Sequence, residues 1–135
     1  ESTGYGTGEG LCGWNCRHSF GPGDLRHNPY AQFDAEENKK AFDLSQKQRG
    51  KESRIRRTKT KLVGLRTAIE AAEDAGVKAT LEAQYTRTAK LLEKQNLDYN
   101  QFCEDNGLKR LSDRIQIAKW TREDARKSIA AARSK

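Results

Sequence analysis

Residues 44–102 read LSQKQRGKESRIRRTKTKLVGLRTAIEAAEDAGVKATLEAQYTRTAKLLEKQNLDYNQF, and their spacing decides the fold. After Leu44, the positions Gln48, Lys51, Ile55, Thr58, Leu62, Leu65, Ile69 and Ala72 follow in alternating steps of four and three. This is a heptad stripe, the pattern of a helix lying along another helix. Its first half is weakly apolar and its second half strongly so. The stripe breaks at Glu73-Asp74-Ala75-Gly76, a turn in which Gly76 is expected to stop the helix. It resumes with Leu81, Tyr85, Thr88, Leu92, Gln95, Tyr99 and Phe102. Folding at the turn sets Ile69 against Leu81, Leu65 against Tyr85, Thr58 against Leu92 and Gln48 near Phe102. The expected seam is Ile55, Leu62, Leu65, Ile69, Leu81, Tyr85, Leu92, Tyr99 and Phe102. At 1.5 Å per residue each arm runs about 40 to 60 Å.

Outward from the stripe, the boundaries are marked. Asp34 followed by Glu37 reads as an N-cap with its capping-box acid, and no proline occurs beyond it. Gly50 and Gly64 are weak points, each costing about 1 kcal/mol relative to alanine inside a helix. Asn106-Gly107 closes the second arm. In the tail, Leu108, Leu111, Ile115 and Ala118 outline a short apolar face. Thr121-Arg122-Glu123-Asp124 is a second capping box that starts a final helix reaching to about Arg133. The expected class is mainly α. A hairpin over 34–107 is followed by a helical tail over 108–135 and preceded by a Gly-rich irregular segment over 1–33. That segment holds both prolines, Pro22 and Pro29, and the aromatics Tyr5, Trp14, Phe20, Tyr30 and Phe33.

Bulk composition agrees with a thin seam rather than a large core. Hydrophobic residues make up 34% of the 135 and charged residues 33%, where ordinary domains are nearer half apolar. No apolar run approaches the ~20 residues of a membrane span. With no Met and a first residue Glu1, the chain reads as a fragment or processed product. Three cysteines, Cys12, Cys16 and Cys103, are too few for a disulfide scaffold and point to a reducing compartment.

A net charge of +7 favours polyanionic partners: nucleic acid, an acidic protein surface or anionic lipid. Its centre is the run Lys47, Arg49, Lys51, Arg54, Arg56, Arg57, Lys59, Lys61 and Arg66. On a helix these spread around the circumference, as a positive rod. The functional reading is sequence-blind contact with phosphates or with an acidic partner through Lys47, Arg49, Arg54, Arg56, Arg57, Lys59 and Lys61. The plainer reading is a solvated face with ion pairs to Glu82, Glu93 and Asp98 of the second arm. Under the first reading Lys59→Glu is tolerated structurally and weakens polyanion binding.

Cys12, Cys16 and His18 have the chemistry of zinc ligands, with His27 or Cys103 as the only fourth candidates of those types. Small packed thiols and a loop-bonding imidazole are the stronger explanation, and a Cys–His nucleophile lacks an orienting third group. GYGTGEG lacks the Lys-Ser/Thr ending of a phosphate loop. No cofactor, no metal and no catalytic residue is expected.

Gly4 to Phe20, with the core Gly10-Leu11-Cys12-Gly13-Trp14-Asn15-Cys16-Arg17-His18, resembles the signature of phage minor capsid protein 2. Leu44-Ser45-Gln46-Lys47-Gln48-Arg49 with Glu52, Arg54, Ile55 and Arg56 resembles that family's glutamine- and arginine-rich helix. Asn106-Gly107-Leu108-Lys109-Arg110 with Asp113-Arg114 resembles its closing motif. The likeness spans about residues 4–118. It implies a structural minor head protein of a tailed phage or of a prophage in Gram-positive bacteria, located in the virion head and in the host cytoplasm during assembly. The implied partner is portal or capsid protein, with packaged DNA and a second copy of the chain as further candidates, and no membrane. The resemblance also places the family's main domain upstream of Glu1. The alternatives are a non-sequence-specific nucleic-acid-binding module using the basic helix or, since some members of the wider group are fused to toxin domains, a non-catalytic piece of a toxin-linked head protein.

Overall fold

The computed structural model describes Gly4, Thr7 and residues 34–134. The chain divides into two compact units, Glu1–Ala35 and Glu36–Lys135. Of the first, a local turn is described: the Thr7 N–H and hydroxyl both donate to the Gly4 carbonyl, at 3.0 and 2.6 Å. The zinc candidates Cys12, Cys16, His18 and His27, and the aromatics of that segment, lie outside the described residues.

The second unit is helical. Helix α1 spans Ala35–Ala71, α2 spans Ala75–Asp105, a 3-10 turn spans Ser112–Ile115, and α3 spans Arg122–Arg133. The hairpin forms where the stripe breaks. Asp74 is the N-cap of α2, its carboxyl accepting the Val77 N–H at 2.8 Å. Gly76 is therefore not a stop for α1; it lies in the first turn of α2. The reason is local. A capping Asp needs the residues after it to be helical, and a Cβ on Gly76 would come within 3.2 Å of the Asp74 carboxyl oxygen. At the other end α2 closes as the sequence suggests. Gly107 adopts φ +61°, its N–H bonds the Glu104 carbonyl at 3.2 Å, and the Leu108 N–H bonds Cys103 at 2.8 Å. This is a Schellman ending, with Leu108 packed against the core.

The two long helices pack in the expected register. Gln48 reaches Cys103, Lys51 reaches Asp98 and Glu52 reaches Tyr99. Each helix, however, buries a second row beside its stripe: Glu52 and Lys59 on α1, Ala89 and Cys103 on α2. The cause is the tail, which returns parallel to α1. Gln48 donates to the Lys109 carbonyl at 3.1 Å, Arg56 to Arg114, Lys59 to Ile115 at 2.8 Å, and Arg66 pairs with Asp124. Between Gly107 and Thr121 only the 3-10 turn is helical, so carbonyls there have no helical partner. Such groups must be satisfied when they pack against a protein surface. Gln48, which looks misplaced in the stripe, and Arg56 and Lys59 outside it do this. The core then gathers where the limbs meet, around Ile55, Leu62, Leu92, Tyr99, Cys103 and Ile115. Leu111 and Ile117 are half-buried, whereas Ala118 is exposed and is no part of the apolar face.

Helix α3 starts at the expected capping box. The Thr121 hydroxyl accepts the Asp124 N–H at 3.1 Å, and the Asp124 carboxyl accepts the Thr121 N–H at 2.9 Å. The helix packs on α2. Among the described residues there is no strand.

Candidate functional site

Packing sorts the basic run. Lys51, Arg56, Lys59 and Arg66 turn toward the other limbs. Lys51 pairs with Asp98 at 2.5 Å and lies over the Phe102 ring at 5.1 Å. Asp98 is thus engaged as one of the acids that the solvated-face reading names. Lys59 is only 7% exposed, hydrogen-bonded to Ile115 and 5.5 Å from the centre of the Trp120 ring. Burial lowers its pKa, and the charge of Arg110 lowers it further. A carboxylate at this position would face a carbonyl it cannot bond, so the structure contradicts the expectation that Lys59→Glu is tolerated. Arg56 is half-buried through its bond to Arg114.

Lys47, Arg49, Arg54, Arg57 and Lys61 remain exposed, and among the described ion pairs none includes them. At about 100° per residue, Lys47, Arg54, Arg57 and Lys61 fall within an arc of about 80°. The rod is therefore reduced to a stripe about 21 Å long at 1.5 Å per residue, with Arg49 on another side.

The buried polar groups form two clusters. Around Tyr99, which is fully buried, the hydroxyl donates to Glu52 at 2.9 Å and accepts from Gln48 at 3.4 Å and from the Leu111 N–H at 3.3 Å. Burial is the main cause of a raised Tyr99 pKa. Around Asp124, burial pushes the carboxyl up, but hydrogen bonds from Thr121 and from Arg66 outweigh it and hold its pKa below the usual carboxylate value. The same contact raises Arg66.

A groove of roughly 620 Å³ opens between α2 and the returning limb. Its apolar walls include Ala89, Leu92, Ile115, Trp120, Ala125 and Ile129, and Arg110, Arg122 and Arg133 line it with Lys59. The sequence did not single out those arginines. Arg122 and Arg133 share one side of α3, and the return of the tail brings them to the same groove as Arg110 and Lys59.

The other expectations place simply. All nine seam residues are buried or half-buried. Cys103 is a buried free thiol, and among the described residues no cluster of metal-ligating side chains occurs. No described helix is long and apolar enough to cross a membrane.

No curated protein and no solved structure matches the chain. The family described as phage minor capsid protein 2 does match, over residues 1–97. That range holds the Gly-Leu-Cys-Gly-Trp-Asn-Cys-Arg-His core and the whole basic stripe, while Asn106–Arg114 and α3 lie beyond it. With most of its length in the match, the chain belongs to the phage minor capsid protein 2 family.

Proposed function

We propose that the chain performs the structural phage-head role of its family by docking on the portal or on another protein of the head interior. The family match carries this reading. The form of the helical unit supports it, since two long helices with a packed third limb offer extended surface for a protein neighbour. Light scattering of the chain mixed with portal protein, at low and at moderate salt, tests it. A defined complex that survives moderate salt is expected. Separate elution at both salts would overturn it.

The exposed stripe favours a second contact. Lys47, Arg54, Arg57 and Lys61 lie on one side of α1 without described carboxylate partners, as phosphate contact requires. This reading assigns them to packaged DNA, bound without sequence preference. With about four phosphates neutralised, log K should fall with log salt at a slope of about −3 to −4. Replacing Arg54 and Arg57 by Glu should flatten that slope, and an unchanged slope would clear the stripe of the role.

A further inference from the structure

The groove between α2 and the returning limb combines features that a merely solvated surface does not need. Its walls are apolar, with Ala89, Leu92 and Ile115 buried at its base and Ile129 half exposed on its α3 side. Leu97, which also lines it, is 63% exposed on the α2 side. Around these lie Arg110, Arg122 and Arg133, none of which is in a described ion pair. Glu93 is the acid among the lining residues. Arg110 and Lys59 face the same space, and the charge of Arg110 makes that of Lys59 less favourable there.

An apolar floor ringed by unneutralised guanidinium groups has a specific complement: apolar side chains on one face and carboxylates beside them. A phosphodiester strand would meet the cations but leave the apolar walls wet. Alanines at 89, 125 and 132 line the groove and let a helical backbone approach closely. The α3 wall, twelve residues long, matches an occupant of about three turns, or about 18 Å. Helix-in-groove recognition reads such anchors at positions i, i+3 or i+4, and i+7.

We infer that this groove is a docking site for an acidic amphipathic helix of a partner protein. The inference deepens the head-docking reading and rests on it for the source of the partner.

The test uses the full chain with Trp14→Phe, so that Trp120 in the groove is the sole indole emitter. The probe is a synthetic helix of about 14 residues, with leucines along one face and glutamates flanking them. Saturable change in Trp120 emission is expected with this peptide. It should be absent with a scrambled peptide of the same composition and with one carrying lysine for glutamate. Arg122→Glu combined with Arg133→Gln, and separately Ile129→Asp, should each weaken binding by about ten-fold or more. These positions are exposed, and circular dichroism checks that the variants keep their fold. No saturable change, equal binding of the scrambled peptide, or indifference to the variants overturns the inference. Tighter binding of an oligo-dT strand that the same variants abolish also overturns it, in favour of phosphate. If the portal complex fails while the peptide binds, the head-docking reading falls alone; if the portal binds and the peptide does not, the groove falls alone.

Discussion

The Tyr99 hydroxyl ties α2 to α1 and to the start of the tail: it bonds Glu52 and Gln48 of α1 and the Leu111 N–H. Tyr99→Phe keeps the ring but strips these partners in a site closed to water. It should lower stability by about 1–3 kcal/mol, the cost of buried polar groups left unpaired. A urea midpoint that falls with unchanged slope would show it; an unmoved midpoint would mean the bonds carry no net stability. Lys59 gives a sharper contrast. Lys59→Met keeps the stem that packs by Trp120 and loses one bond, whereas Lys59→Glu buries an acid against a carbonyl. The second should cost about 3 kcal/mol or more and the first about 1, read from the same denaturation series. Equal losses would show that the Lys59 charge is solvated after all. Residue types announced a basic run. They could not announce which cations turn inward, because that depends on carbonyls in a limb some 60 residues away.

Helix boundaries and register were legible because they are local. The four-three spacing, the Thr121 box and the Asn106-Gly107 ending each act within a few residues. What the pattern could not encode is the tail's return. What the tail offers α1 is backbone carbonyls, which every residue carries, so Gln48 looked like a flaw in the stripe and Lys59 like one more cation of the basic run. Two glycines in α1 show the same logic in reverse. A Cβ on Gly50 or on Gly64 would meet nothing within 4 Å. Gly50→Ala and Gly64→Ala should each stabilise by about 1 kcal/mol, seen as a raised melting temperature; a fall would reveal a hidden close approach. Helix α3 has a pH limit. The folded pKa of Asp124 lies below its unfolded value, so its stabilisation is complete above the unfolded value of about 3.9 and fades as pH falls through the folded one. Acid titration should loosen α3 below about pH 4, and Trp120 emission should follow it. Asp124→Asn should remove that step; a step that persists would have another origin.

At the scale of the whole helical unit, the contacts form two classes. The turn between α1 and α2 is short, so the hairpin can zip from Asp74 outward. Contacts such as Gln48 to Lys109 and Arg56 to Arg114 close loops of 61 and 58 residues. Closure entropy delays long-range contacts until the chain is already shaped. On refolding, helical circular dichroism should therefore recover before Trp120 reaches its native emission. Simultaneous recovery would mean that the tail docks in the same step as the hairpin. The basic stripe and the groove then have different standing. The first belongs to α1 and exists as soon as that helix does; the second exists only while the tail is home. Regions held by few apolar contacts open first in a native protein, and the returning limb meets α1 through polar bonds to tail carbonyls and to Asp124, with Ile115 as its one fully buried apolar side chain. It behaves as a latch. A molecule seated in the groove would hold it shut, and anything that frees Asp124 or Lys59 would erase the groove while leaving the hairpin standing.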